Sequence, residues 1–257
     1  MKIRLAALLA CMALSAPLAA QQFDTISFGV DGGYPPFDVL APSGEITGFD
    51  IDIANALCTQ LKAKCVFVKQ PFESMIAALN AHKFDAIIAS LNITDERKKE
   101  VDFTDRYYRS GAQLVARKGS PLLPDAASLK GKTVGVQTGS THEAFAKANW
   151  ANHGVKIVGY ANQDNVYLDL LSGRIDAALQ DNIQAATGFI DTPRGQKFAF
   201  AGPVIQDGGI SSDVGIAVNK DNPALRDALN GAIKAIRADG TYDAIQKKYF
   251  SFDIYGK

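Results

Sequence analysis

The chain has 257 residues, is 47% hydrophobic and 21% charged, and sets 27 Lys+Arg against 27 Asp+Glu. That is too apolar for disorder and lacks the cationic excess that tracks nucleic acid. Gly (22) and Pro (10) are too few for a collagen-like or linker-dominated chain. The length suits one large domain or two lobes of about 100 residues, each able to bury its own core.

In chain order, Lys2 and Arg4 precede an apolar stretch from Leu5 to Leu14, and Ser15-Ala16-Pro17-Leu18-Ala19-Ala20 follows with small residues and a breaker. This is the three-part pattern of a secretory signal peptide over residues 1–20, with cleavage expected after Ala20. Its apolar part is too short to span a bilayer stably, and no other long apolar run exists. Without Lys2 and Arg4, 25 basic residues face 27 acidic ones, and the mature chain is weakly acidic. Leu8-Leu9-Ala10-Cys11 loosely resembles a lipoprotein site, but it leaves almost no apolar region before the cysteine, so Cys11 is assigned to the discarded leader. Cys58 and Cys65 then remain, an even number in an exported chain, and a disulfide closing a small loop is expected. A metal site would need further ligands, and His82, His142 and His153 are scattered.

One unit occurs twice. Lys83-Phe-Asp-Ala-Ile-Ile-Ala-Ser90 is echoed by Arg174-Ile-Asp-Ala-Ala-Leu-Gln-Asp181. Each follows a helical pattern (Met75, Ile76, Leu79 and Val166, Leu170, Leu171) and leads into a short apolar strand that ends in a polar loop. Ile26–Asp31 is matched by Thr133–Gln137, and Cys65–Val68 by Val155–Val158, as first and middle strands. Each half thus reads strand, helix, strand, helix, strand. This pattern predicts an α/β fold of two lobes, each a doubly wound, mainly parallel sheet covered on both faces. Ligands of such sheets sit at the strands' carboxyl ends. Here those ends are the loops Asp31–Phe37, Phe72–Glu73, Ser90–Thr94, Gln137–Thr141 and Gln180–Asp181. Tyr107–Arg117 and Ile210–Val218 are extended segments able to cross between lobes, which assigns 21–109 and 213–257 to lobe 1 and 110–212 to lobe 2. Leu225, Leu229, Ile233 and Ile236 form a core-facing stripe on a helix entered through Asn222-Pro223, and a second helix covers Tyr242–Tyr249.

Catalytic signatures are weak. Gly131-Lys132-Thr133 has the tail of a phosphate loop, but Ala126 replaces its first glycine and a strand follows where one should precede. Gly139-Ser140-Thr141-His142 lacks the second glycine of a nucleophile elbow. Asn92-Ile93-Thr94 matches a glycosylation acceptor by chance. The Asp95–Glu100 charge run suits a solvated first helical turn, Arg97 being the exception.

Asp31-Gly-Gly-Tyr-Pro-Pro-Phe37, Gly48-Phe-Asp-Ile-Asp52, Ser90-Leu-Asn-Ile-Thr-Asp-Glu-Arg97 and Val101-Asp-Phe-Thr-Asp105 resemble the hallmarks of periplasmic solute-binding proteins of polar amino acid ABC importers. So do Gly135-Val136 with Gly139-Ser140-Thr141, Gly173-Arg-Ile-Asp176 and Ala238-Asp-Gly-Thr-Tyr242. The resemblance spans the mature chain, including Cys58 and Cys65, and is nearest to the histidine and lysine/arginine/ornithine binders. It implies a Venus-flytrap fold with a two-strand hinge, a periplasmic location, an inner-membrane permease as partner, action as a monomer, and no turnover, cofactor or metal.

That role gives the residues a physical sense. A free amino acid brings one carboxylate and one ammonium, and both need partners in a cleft that excludes water. Arg97 can grip the carboxylate with two parallel N–H bonds. Backbone N–H groups near Asn92, Ser140 and Thr141 add donors at helix starts. Asp181 can pair with the ammonium, helped by Ser90. Asp31 suits a cationic side chain, with Tyr34 and Phe72 flanking it. Blander roles compete: a surface helix charge for Arg97, helix caps for Asp181, Ser140 and Thr141, a turn residue for Asp31, and core aromatics for Tyr34 and Phe72. The chain departs from the resemblance at Ala89 and Asn92 (Ser in those relatives), Gln137 (aliphatic) and His142 (Gln), which leaves an opine or another polar amino acid open as ligand. The same fold hosts cyclohexadienyl dehydratases, for which His142 and Glu143 are the candidate acids, but Asp31 would repel their dicarboxylate substrate. A ligand-sensing module is a third alternative, for which no output domain follows.

Overall fold

The computed structural model describes residues 22–205, 210 and 212–256. The expected leader, its cleavage point and Cys11 lie outside them. In chain order the strands are β1 (Thr25–Val30), β2 (Gly33–Tyr34), β3 (Asp38–Leu40), β4 (Ile46–Thr47), β5 (Lys64–Lys69), β6 (Ala86–Ile87) and β7 (Asp102–Arg109). β8 (Ala112–Arg117), β9 (Thr133–Gln137), β10 (Lys156–Tyr160), β11 (Ala177–Asp181), β12 (Phe198–Phe200) and β13 (Asp213–Val218) follow. One five-stranded sheet has the order β5-β1-β6-β13-β7 and the other β10-β9-β11-β8-β12, while β2, β3 and β4 form a small ribbon.

The two expected units share one wiring. β1 lies parallel between β5 and β6, and β9 lies parallel between β10 and β11. Helices Phe49–Leu61 and Met75–Asn80 serve the first unit, Thr141–Asn149 and Gln163–Ser172 the second. The repeated aspartates explain the echo in sequence: Asp85 accepts the Ser27 N–H and Asp176 the Thr133 N–H, each at 2.8 Å, pinning the turn before the third strand onto the first. The next repeated feature is a glycine. A Cβ on Gly29 would lie 2.5 Å from the Phe84 ring, and one on Gly135 2.5 Å from Ile175, so equivalent side chains seat over equivalent bare backbone.

The remaining strands run against the parallel triads. β13 is antiparallel to β6 and β7, and β8 is antiparallel to β11 and β12. The sheets are therefore mixed, and only their repeated halves are parallel. Each is covered on both faces by apolar clusters, for example Ile26, Phe28 and Val30 on one face of β1 with Ile87 and Phe84 on the other, and Val134 and Val136 opposite Val166 and Ile175 in lobe 2.

Ser110 and Gly111 carry the chain from β7 to β8, and the return reaches β13 beside them, with Ser110 N–H donating to Ser212 O at 2.9 Å and Arg109 paired with Asp213. Helix Pro223–Ala238 starts at Asn222, whose side chain accepts the Leu225 N–H, and buries Leu225, Leu229, Ile233 and Ile236 as their spacing predicts. The last helix spans Thr241–Tyr249. Cys58 on the first helix is bonded to Cys65 on β5, with Cα atoms 5.9 Å apart. Among the described residues, no helix is long and apolar enough to cross a membrane.

Candidate ligand-binding cleft

The carboxyl ends of both parallel triads meet across a narrow cavity lined from both lobes. Asp31, Tyr34, Phe72, Ala89, Ser90 and Asn92 line it from lobe 1, and Gln137, Ser140, His142, Gln163 and Asp181 from lobe 2. All but Gln163 are expected from the sequence.

On the lobe 1 wall, Asp31 follows the last residue of β1 and is 6% exposed. Its carboxylate accepts a 3.0 Å bond from Gln137 Nε2 of lobe 2, so it does more than shape a turn. Burial pushes its pKa up to about 6, against the opposing pull of the Gln137 bond and Lys69. Tyr34 packs its ring on Phe37 and sends its hydroxyl to Asp181 Oδ2 at 2.5 Å, combining the core and cleft roles. Ser90 adopts φ +53°, a left-handed conformation that costs a non-glycine residue about 1–2 kcal/mol. The fully buried Asp50 beneath it compensates, accepting the Ser90 N–H at 2.8 Å, its Oγ at 3.1 Å and the Tyr107 hydroxyl at 2.9 Å. Despite these donors, burial holds the Asp50 pKa at about 7. The Ser90 hydroxyl is thus committed to Asp50.

On the lobe 2 wall, Gln137 is the last residue of β9 and Asp181 the last of β11. Ser140 caps helix Thr141–Asn149, accepting the Glu143 N–H at 3.1 Å. Asp181 holds the N-cap position of a short helix, yet its carboxylate caps nothing and turns into the cleft. Its Oδ1 and His142 Nε2 stand 3.6 Å apart, both buried and both without a hydrogen bond among the described residues. Burial raises the Asp181 pKa, with His142, Tyr34, Ser110 and Arg97 opposing, and lowers that of His142 against the pull of Asp181.

Arg97 and Thr141 stand at the margin rather than among the lining residues. Thr94 caps the turn carrying Arg97, whose Nη1 donates to Asn92 O at 2.9 Å and Nη2 across the cleft to Gly139 O at 3.1 Å. The guanidinium lies 5.8 Å from the Phe72 ring centre, and burial lowers its pKa to about 10. Thr141 Oγ1 donates to Asn92 Oδ1 at 3.1 Å, joining the lobes again. A further lobe contact lies at Pro35, whose oxygen accepts from Gln184 Nε2 at 3.0 Å and would meet a Cβ on Gly188 at 2.3 Å.

Beyond Gln163, the sequence reading missed the buried carboxyls Asp38 and Asp50 behind the lobe 1 wall. The repeat itself was a signal for Gln163: it opens the helix after β10, the counterpart of the Phe72 turn after β5. Chemically, the cleft offers two buried carboxyl groups from opposite lobes, one guanidinium, an imidazole and two aromatic faces. Among the described residues, no group of three or more His, Cys, Asp or Glu could hold a metal.

Comparison with known proteins agrees with this architecture. Residues 26–252 match the family described as bacterial extracellular solute-binding proteins, family 3. The chain is 47% identical over 234 residues to the lysine/arginine/ornithine-binding periplasmic protein of Escherichia coli (strain K12), covering 91% of this chain and 90% of that protein. It is 46% identical over 232 residues to the histidine-binding periplasmic protein of Salmonella typhimurium, covering 90% and 89%. Its fold is similar to that of an ancestral arginine-binding protein bound to arginine, with a TM-score of 0.83, 36% identity and coverage of 90% of this chain and all of that one. The chain belongs to family 3 of the bacterial extracellular solute-binding proteins.

Proposed function

We propose that this chain is exported to the periplasm with loss of residues 1–20, binds one basic amino acid between its lobes as a monomer, and delivers it to an inner-membrane ABC permease. The observation that carries the ligand class is charge: Asp31 and Asp181 are buried on facing walls, and Arg97 is the cation that reaches across between them. A ligand with one carboxylate and two cationic groups complements that set, whereas a dicarboxylate leaves Asp31 and Asp181 unpaired. In this role Arg97 exchanges its backbone partners for the ligand carboxylate, with donors from Asn92, Ser140 and Thr141. The α-ammonium occupies the space at Asp181 Oδ1, beside the Ser90 carbonyl and His142. The ligand's side chain runs between Tyr34 and Phe72, past Ala89, toward Asp31 and Gln137. Residues 21–109 with 213–257 and 110–212 move as lobes about Ser110–Gly111 and the strand beside it.

The relatives' names, which specify lysine, arginine, ornithine and histidine, support the same class. The polar groups of Gln137 and His142 on the lobe 2 wall support a second class, opines, with more polar atoms beyond the α-carbon. A thermal-shift panel on unfolded and refolded protein separates these readings, since binding to the native state alone raises the midpoint and refolding removes co-purified ligand. Arginine, lysine, ornithine or histidine is expected to give the largest rise, and a response confined to neutral, acidic or opine ligands would refute the basic class. No phenylpyruvate is expected from prephenate; its release would make the protein an enzyme.

A further inference from the structure

A line of buried polar side chains leaves the cavity wall and ends on the opposite lobe. Gln163, 1% exposed, opens helix Gln163–Ser172 and lines the cavity. Its Nε2 donates to Gln180 Oε1, Gln180 Nε2 donates to the Tyr167 hydroxyl, and that hydroxyl donates to Gln184 Oε1. Gln184 Nε2 donates in turn to the Pro35 oxygen of lobe 1 at 3.0 Å. All four side chains are buried, so bulk water does not satisfy an amide turned the wrong way.

The far end fixes the direction of every bond. A main-chain carbonyl only accepts, so Gln184 must point its NH2 at Pro35 and its oxygen at Tyr167. The phenol has one proton, already given to Gln184, and can only accept from Gln180. Gln180 must then face its oxygen toward Gln163, whose NH2 is turned inward and whose carbonyl oxygen is left as the acceptor at the cavity end. A free glutamine side chain offers donor or acceptor equally well; here a carbonyl on the other lobe decides between them. The neighbouring Asn162 packs against Gly33, where a Cβ would also sit 3.5 Å from Asp31 Oδ2, which puts this wall on the Asp31 side of the cavity.

We propose that Gln163 is a further specificity-determining residue, accepting a hydrogen bond from the cationic side chain of the ligand. Gln180, Tyr167 and Gln184 are positioning residues that hold its carbonyl in that sense once lobe 2 has closed on Pro35. The inference deepens, and rests on, the basic amino acid class proposed above. Closure and recognition are thereby one event: with the lobes apart, the Pro35 oxygen is gone and the amide orientation is no longer imposed.

Calorimetric titration of refolded protein with arginine tests this. Gln163→Leu is expected to weaken arginine about 10- to 100-fold, the loss of a hydrogen bond to a charged group. Tyr167→Phe, out of ligand contact, should weaken it roughly 2- to 10-fold on its own and have no further effect in the Gln163→Leu background. Gln163→Met replaces Leu should the latter fail to unfold cooperatively. Arginine affinity within twofold of wild type in the Gln163 variant would overturn the contact, and losses that add in full would overturn the relay. Wild-type protein that unfolds cooperatively but binds no basic amino acid would instead refute the ligand class, and this proposal with it.

Discussion

Replacing Asp181 by Asn removes one charge from the cleft with little change of shape. The carboxylate is 3% exposed, one oxygen is held by Tyr34 and the other faces His142 without a hydrogen bond among the described residues. An amino acid ammonium placed there meets a desolvated opposite charge, and truncating one side of such a pair costs about 2–5 kcal/mol because the partner is left unpaired. That corresponds to roughly 30- to 4,000-fold weaker binding. Stability should move the other way. Burial raises the Asp181 pKa, so near neutral pH the ionised group opposes folding, and a neutral amide relieves that cost. Calorimetry with arginine should therefore show the large loss while the ligand-free protein melts no lower than wild type. Binding within threefold of wild type would refute the ammonium site, and a lower ligand-free melting point would refute the electrostatic reasoning.

Other outcomes follow from the same contacts. With its pKa at about 6, Asp31 loses charge as pH falls, and a cationic ligand favours the charged form; arginine affinity should drop about tenfold between pH 7.5 and 5. Asp31→Asn should flatten that dependence and weaken arginine more than glutamine, and equal losses would argue against its role. The raised pKa values of Asp31 and Asp50 also work on folding: their stabilising contribution is complete below the ordinary carboxylate range and lost as pH rises through about 6 and 7. Ligand-free melting temperatures measured from pH 5 to 8 should carry that downward slope. Gly188→Ala places a Cβ against the Pro35 oxygen and should weaken arginine, with small-angle scattering showing incomplete compaction at saturation. Cys58→Ser with Cys65→Ser opens a loop of sequence separation 7, costing about 2–3 kcal/mol in denaturant unfolding with arginine affinity unchanged.

Much of this molecule was legible because it is written twice. The Asp-Ala echo located both third strands, and the aspartates that make it are the residues pinning each unit together. Asp31, Gln137 and Asp181 could be found because strand ends carry ligands in parallel sheets. β8 and β13 were legible as extended segments, but not their antiparallel direction, which depends on the path the chain takes between sheets and leaves no local pattern. Arg97 was legible as the exception in a run of surface charges, but its bonds to Asn92 and Gly139 depend on the lobes meeting. Gln163 and Gln184 read as ordinary polar helix residues; their partners are 17 and 149 positions away. Asp50 sits within an amphipathic helix pattern, and only the left-handed turn at Ser90 gives its burial a purpose.

The bonds spanning the cleft make the protein its own competitor. Asp31 already holds an amide, Asp181 a phenol, and Arg97 a carbonyl from the facing wall. An incoming solute therefore gains only the margin by which its charges outdo these neutral stand-ins. Molecules bearing amides or hydroxyls duplicate what is present and gain little, while a full ammonium or carboxylate improves on it at each position. On the proposed role, selection against uncharged solutes is thus set by the partners that the two walls already offer each other.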